Sequence, residues 1–451
     1  MSARKGQSRG RKITDVKAER FAQACRDEAA HLMNTYRRPA FVFVEGKGCY
    51  VRDDRGRTYL DFLGGIAVNA LGYSHPRVVK AIRREAGRAI HLSNLFHNPY
   101  QGPLAAKLAK WTGLDRIFFT NSGTEAVEGA LKIARAHARK IATDGGATKT
   151  RVLAMTNSFH GRTFGALAIT YPAKYREPFA PLMPDVEFVT FNDVADLDSK
   201  FGSDVCAVII ETIQGEGGIY LVTEEFWNRA RQLTAGSGAA LIADEIQCGL
   251  GRTGRAFAYQ KFATKPDIVT IAKPLAGGLP LGAIAANEEF AGALSPGLHG
   301  STFAGGPLIC ATALEVLNVI EGDRLMKNAV ARGAEIVAGL KKLQKKFDFI
   351  REIRGEGLII GLDLTVEGTP FVDAALDRGL IINCTHEHIL RFLPPFTIGA
   401  KQVKEFLSKL ETVFAETPRP KSVEAAASST AAAAPASRVA EAEAEIAVGA
   451  R

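Results

Sequence analysis

The stretch Asp267-Ile268-Val269-Thr270-Ile271-Ala272-Lys273-Pro274-Leu275-Ala276-Gly277-Gly278 decides how the chain is read. Ile268 to Ala272 is a short, apolar, β-branched run, the pattern of a buried strand. Lys273 sits where that strand ends, and a proline and two glycines follow soon after. An ammonium in that position is poorly hydrated. Poor hydration favours the neutral amine, which is a nucleophile. On this window alone, a surface lysine that closes a strand fits as well.

A second run upstream decides between the two. Ala239-Ala240-Leu241-Ile242-Ala243 reads as another buried strand, and it ends in Asp244-Glu245. In parallel α/β sheets, ligands bind in the crevice beyond the carboxyl ends of the strands. Asp244 and Lys273 are therefore expected to face one crevice. A carboxylate near a lysine that can capture an aldehyde suits pyridoxal 5'-phosphate. The carboxylate keeps the pyridine nitrogen protonated, and the lysine holds the aldehyde carbon.

The sequence around these runs is α/β in pattern. Residues 76 to about 315 alternate strand and helix signals, as a parallel sheet with crossover helices requires. Arg116 to Thr120 reads as a strand, Asn121-Ser122-Gly123-Thr124-Glu125 as a turn, and Ala126 to about Ala138 as a helix. Ser and Thr before a helix are ordinary caps. The same backbone N–H groups also form an anion site. Phe159-His160-Gly161-Arg162-Thr163 follows the strand Val152–Met155, and Glu211-Thr212-Ile213-Gln214-Gly215-Glu216-Gly217-Gly218 leaves the strand beginning at Val205. At the N-terminal side, a helical pattern from Asp15 to about Arg37 precedes an antiparallel meander over Phe41–Val44, Cys49–Val51 and Thr58–Phe62. From about residue 320 a long helix (Glu315 to Phe347), short strands and a last helix (Ala400 to Phe414) suggest an α+β region.

The expected division is a disordered basic leader (1–14), a helix and meander segment (15–75), a large domain (76–318), a small α+β domain (319–416) and a disordered Ala/Glu-rich tail (417–451). The leader and tail rest on composition.

The 451 residues suffice for a large core, and 46% hydrophobic with 23% charged residues is an ordinary globular balance. The net charge is +9, but Arg4, Lys5, Arg9, Arg11 and Lys12 contribute to it before any acid appears. The rest is mildly basic, which argues against nucleic-acid binding. An organellar transit peptide is the second reading of the leader. Six scattered cysteines without a CxxC pair fit a reduced, cytoplasmic chain. No apolar run approaches a membrane span and no secretory h-region is present, so no membrane partner is expected. Cys384, His386 and His388 lack the usual metal-ligand spacing, so no metal is expected.

Asp244-Glu245-Ile246-Gln247, Gly251-Arg252-Thr253-Gly254 and Ala272-Lys273 together resemble the class III, fold-type I aminotransferases, which depend on pyridoxal phosphate. The resemblance runs over about residues 30 to 414. It implies a large domain with a mixed, mostly parallel sheet flanked by helices, and a smaller α+β domain built from the N- and C-terminal segments. Gly64 to Pro76 and Ser93-Asn94-Leu95-Phe96 resemble the branch of that family acting on acetylornithine.

The roles that follow are those the resemblance implies. Lys273 is the catalytic lysine, and Asp244 serves the ring nitrogen. Phe159 and Ile246 flank the ring, and Gln247 serves its hydroxyl oxygen. Ser122, Gly123 and Thr124 cradle the phosphate, with Thr302 reaching it from a neighbouring subunit. Arg162 and Arg391 bind substrate carboxylates, Glu216 pairs with Arg391 when no carboxylate is there, and Ser301 lies on the substrate side. The expected partners are small molecules, acetylornithine and 2-oxoglutarate or glutamate, in a homodimer whose active site lies at the subunit interface. Two departures stand out: Thr212 replaces a usual proline, and Gly306 a usual asparagine. Ornithine, succinylornithine and 4-aminobutyrate transaminases share the pattern. More remote alternatives are an aminomutase or racemase, or a binding protein with a relic pocket.

Overall fold

The computed structural model describes residues 13–39, 41–142 and 148–423. The chain starts with a helix, Ile13–His31, and a meander of β1 (Phe43–Lys47), β2 (Tyr50–Asp53) and β3 (Thr58–Asp61). It then builds β4 (Arg116–Thr120), β5 (Arg151–Met155), β6 (Val186–Val189) and β7 (Val205–Glu211). A small hairpin, β8 (Ile213–Gln214) with β9 (Tyr220–Leu221), precedes β10 (Ala240–Asp244), β11 (Ile268–Ile271) and β12 (Gly282–Ala286). The last strands are β13 (Ile350–Glu356), β14 (Ile359–Leu364), β15 (Leu380–Ile381), β16 (Asn383–Thr385) and β17 (Ile389–Phe392).

Seven strands form the central sheet in the order β4-β12-β11-β10-β7-β5-β6. The strands from β11 to β6 run parallel, and β12 alone opposes its neighbours. Every residue of β7, β10 and β11 is buried. Helices cover both faces of such a sheet, which is why these strands read as continuous apolar runs rather than alternating ones. The helix Gly123–Ile141 shows how one of those covers forms. Ala126, Val127, Ala130, Leu131, Ala134 and Ala138 recur at helical spacing and are buried. Ser122 caps it by accepting from the Glu125 amide at 3.3 Å.

The N- and C-terminal segments meet in a smaller lobe. β15 pairs parallel to β3 and extends the meander to four strands. Phe62 stacks on Phe406 at 4.0 Å, and Phe392 meets the same ring edge-on at 4.9 Å. The antiparallel sheet β13-β14-β17-β16 lies in this lobe. Arg252, fully buried, bridges the lobes. Its Nη1 donates to the Leu358 carbonyl at 2.8 Å and the Pro394 carbonyl at 3.0 Å, and its own carbonyl accepts from the Leu358 amide.

Several sequence expectations change here. The single helix over Glu315–Phe347 is two helices, Pro307–Gly322 and Leu325–Gln344. They are broken where Arg324 takes a left-handed backbone at φ +54°. Residue 319, where the large domain is expected to give way to the small one, lies inside the first of these helices. The first helix starts at Ile13, inside the expected leader. The first residues of the expected tail are paired: the Glu367 amide donates to the Lys421 carbonyl, the Val423 amide to the Thr365 carbonyl, and Val366 bridges Ser422. Residues 1–12 and 424–451 lie outside the described residues.

Gly357 lies at the contact with Arg252 that joins the lobes, with φ +58°, and a Cβ there would fall 2.4 Å from the Arg252 carbonyl oxygen. The nearest atoms are backbone of Arg252 and Thr253, which cannot swing aside as a side chain would. Gly357→Ala is expected to cost at least about 2 kcal/mol, from the left-handed strain and the clash together. Denaturant unfolding of the variant beside wild type checks this; an unchanged midpoint would show that the joint relaxes.

Candidate active site

The parallel strands deliver their functional side chains at one edge, where each strand ends and its connection begins. β10 ends on Asp244, and β11 ends just before Lys273. Asp244 is in register with Thr270 on β11 and with Glu211 on β7, so the three strand ends lie abreast. They open on a cavity of about 420 Å³. Ser122, Gly123, Thr124, Phe159, Arg162, Glu216, Asp244, Ile246, Gln247 and Lys273 all line it. Ten of the residues singled out from sequence are thus in one place.

Lys273 takes a left-handed backbone, φ +31°. A non-glycine residue holds that conformation only where its surroundings fix it. Burial lowers its pKa; the Glu216 and Asp244 carboxylates oppose the shift without cancelling it. Asp244 is 3% exposed and carries three contacts. Its Oδ2 lies 2.7 Å from His160 Nδ1, and its Oδ1 accepts from the Ile246 amide and the Thr270 hydroxyl, each at 3.1 Å. Burial opposes the His160 imidazolium, yet the Asp244 carboxylate overrides it and raises the pKa. Its Nε2 is buried without a partner.

Glu216, in the cavity wall, meets Arg391 just behind it. Arg391, 1% exposed in β17, donates through Nη1 to Glu216 Oε1 at 2.6 Å, to the Gly215 carbonyl at 2.8 Å and to Gln247 Oε1 at 3.1 Å. Burial pushes the Glu216 pKa up, but Arg391 outweighs it and the net shift is downward. Arg162 is exposed at the mouth, with its guanidinium 3.6 Å from the centre of the Tyr175 ring. Tyr175 was not singled out from the sequence, and no motif marks it.

Ser301 and Thr302 do not line this cavity within the chain. They line a second, more polar one of about 960 Å³, together with Ser93, Asn94 and Leu95. The two cavities touch through one hydrogen bond, from Asn121 Nδ2 to Ser301 Oγ at 3.1 Å. Cys384 ends up in β16, and His386 and Glu387 form a left-handed turn after it. Among the described residues, no group of three His, Cys, Asp or Glu could hold a metal ion, and no helix is long and apolar enough to cross a membrane. All six cysteines are free.

Sequence reasoning missed two buried groups. His160 was left without a task, because a histidine beside a phenylalanine reads as packing. Glu211 was read as the start of a loop. It is buried at the end of β7, accepts from the Phe159 amide at 3.0 Å and the Gly215 amide at 3.1 Å, and lines the cavity. Burial pushes its pKa up to about 7, with His160 drawing it down and Asp244 adding to the rise. Thr212, which stands where proline is usual, donates to buried Glu245 at 2.7 Å.

The residues fit pyridoxal phosphate. A desolvated lysine and a buried carboxylate face one cavity, and the start of a 19-residue helix turns backbone N–H groups toward it. Gly123 stands at that helix start, where a Cβ would lie 2.9 Å from Ile246 Cδ1.

Comparison with known proteins gives a consistent result. The aminotransferase class-III family model matches residues 32–414. An acetylornithine aminotransferase from Methanocaldococcus jannaschii is 43% identical over 390 residues, covering 86% of this chain and 97% of the relative. An ornithine aminotransferase from Toxoplasma gondii ME49 superposes with a TM-score of 0.83 at 33% identity, covering 87% of this chain and 94% of that one. An acetylornithine aminotransferase from Elizabethkingia anophelis gives 0.78 at 29% identity, over 88% and 98%.

Glu216→Gln tests the ion pair directly. It leaves buried Arg391 without its charged partner and should cost about 1.5 kcal/mol, the low end for a charge-assisted bond because Glu216 is a third exposed. The folded pKa of Glu216 is depressed, so its contribution is full above the unfolded value and fades as pH falls. The gap between variant and wild type should close below about pH 4. Melting temperatures across pH check it, and a gap independent of pH would remove the charge from the account.

Proposed function

This chain belongs to the class-III aminotransferases, and from that premise we propose that it transfers the δ-amino group of N2-acetyl-L-ornithine to 2-oxoglutarate. The products are N-acetylglutamate 5-semialdehyde and glutamate, a step of arginine biosynthesis. The enzyme is a pyridoxal-phosphate-dependent aminotransferase. The cofactor supplies an electron sink for the carbanion formed when a substrate carbon loses its proton.

The chain's own residues would do the rest. Lys273 Nζ would hold the cofactor's aldehyde carbon and, as a free amine, would take up and return the proton of the substrate carbon. Asp244, itself held by His160, would keep a proton on the ring nitrogen. Phe159 and Ile246 would hold the ring between them, and Gln247 would serve its hydroxyl oxygen. Ser122, Gly123 and Thr124 receive the phosphate, with Thr302 of a second subunit completing the cradle, and Ser301 lies beside it on the substrate side. Arg162 grips the carboxylate remote from the reacting carbon. Arg391 grips the glutamate α-carboxylate, and Glu216 neutralises that guanidinium while acetylornithine is bound.

The observation that supports this reading most is the Glu216–Arg391 pair at 2.6 Å. A donor reacting at its δ-carbon brings no carboxylate to Arg391, and an unpaired buried guanidinium is costly. A pocket with one open and one masked arginine suits such a donor in one half-reaction and 2-oxoglutarate in the other. Ornithine, succinylornithine or 4-aminobutyrate as donor is the second reading, and the likeness to an ornithine aminotransferase favours ornithine among them. The proposed setting is a cytoplasmic homodimer with its active sites at the interface.

Purified enzyme, assayed with each of the four donors and 2-oxoglutarate, should give the highest kcat/KM with acetylornithine; a tenfold preference for another donor would reassign the substrate. Lys273→Ala should lose turnover by at least about a hundredfold together with the visible absorbance of the bound cofactor. Asp244→Asn should fold yet lose most activity; near-normal kcat there would mean that another group serves the ring nitrogen. Light scattering at micromolar concentration should return a dimer, and a fully active monomer would dismiss the shared cradle.

A further inference from the structure

Glu211 has no role in the account so far, yet it touches both halves of the pocket. Its two oxygens point to different segments. Oε2 accepts from the Phe159 amide at 3.0 Å and Oε1 from the Gly215 amide at 3.1 Å. Phe159 leads directly into His160, whose ring holds Asp244 at 2.7 Å. Gly215 leads directly into Glu216, and the Gly215 carbonyl itself accepts from Arg391 at 2.8 Å. One buried side chain therefore ties the wall that serves the ring to the loop that serves the carboxylate.

The neighbourhood leaves that loop little other freedom. A Cβ on Gly215 would fall 2.3 Å from Gln247 Oε1, and one on Gly217 would fall 2.5 Å from the Asn157 carbonyl oxygen. Gln214 Nε2 donates to the Thr156 carbonyl at 2.7 Å, a second tie between the same two segments. The backbone is thus fixed from both sides. Motion at Glu216 is left to its side chain, which is a third exposed.

We propose that Glu211 is a positioning residue that clamps the Phe159–His160 segment to the Gly215–Glu216 loop, so that the ring side and the carboxylate side of the pocket keep one relative geometry while Glu216 alone swings. This rests on the aminotransferase reading given above. The clamp is built from a carboxylate because each oxygen must accept a separate backbone N–H. An amide has one acceptor oxygen and an NH2 group, which would oppose the second N–H.

Hydrogen–deuterium exchange on the cofactor-free and cofactor-loaded enzyme tests this without turnover. In Glu211→Ala, the amides of peptides spanning 157–161 and 213–217 should exchange at least about tenfold faster than in wild type, both together. Wild-type protection in either peptide overturns the clamp. Should Glu211→Ala fail to fold, Glu211→Gln keeps the shape and one acceptor, and just one of the two peptides should lose protection; both remaining protected overturns the proposal. Steady-state kinetics then separates this from plain structural support. Glu211→Gln should lower kcat with acetylornithine and raise KM for 2-oxoglutarate, each by several-fold, at unchanged cofactor content. Change in neither parameter sinks the positioning role. If wild type itself shows no transamination, the functional reading fails, while the exchange experiment still judges the clamp.

Discussion

The pocket depends on adjacent parallel strands ending abreast. Glu211 and Asp244 end two neighbouring strands, and register puts them side by side. Lys273 follows the end of a third, in the left-handed turn after β11. The hydrogen-bond ladder brings the two carboxylates together, and the turn adds the lysine. The ladder forms because the strands are apolar on both faces and helices cover both. Cofactor chemistry is thus placed at the ends of fully buried strands.

That placement concentrates charge where water is scarce. Asp244, Glu211 and Glu216 face Lys273, His160 and Arg391, and no single pair accounts for the balance. Asp244 is matched by His160, Glu216 by Arg391, and Glu211 is left with two backbone amides. Burial raises the pKa of Glu211, and Asp244 adds to the rise; burial pushes Glu216 the same way, but Arg391 outweighs it. Lys273 has carboxylates near it but no ion pair among the described residues, and burial lowers its pKa.

The sheet and the heart of the site were legible because burial leaves a strong trace in sequence. Two apolar runs ending in Asp244 and Lys273 could hardly be anything but strand ends. The Ser122 turn was legible for a similar local reason, since a cap and a helix start share residue types. Glu216 and Arg391 had no such local signal, because they lie far apart in sequence and only a family motif joined them. His160 and Glu211 escaped because their work is done through hydrogen bonds across strands, which no spacing reveals. The break at Arg324 escaped because residues on either side keep helical periodicity. The pairing of residues 421–423 escaped because it uses backbone groups, and side-chain composition says nothing about those.

The Asn121–Ser301 hydrogen bond carries a thermodynamic corollary. Asn121 adjoins Ser122 in the chain's own cradle, and Ser301 adjoins Thr302 on the loop proposed to serve a second subunit. Ordering one end of that bond orders the other. In the proposed dimer linkage would be reciprocal: the free energy by which cofactor loading favours association would equal that by which association favours loading. Dilution and cofactor loss would then be two routes to the same loosened state, and the affinity for pyridoxal phosphate would depend on the protein's concentration as well as on its residues.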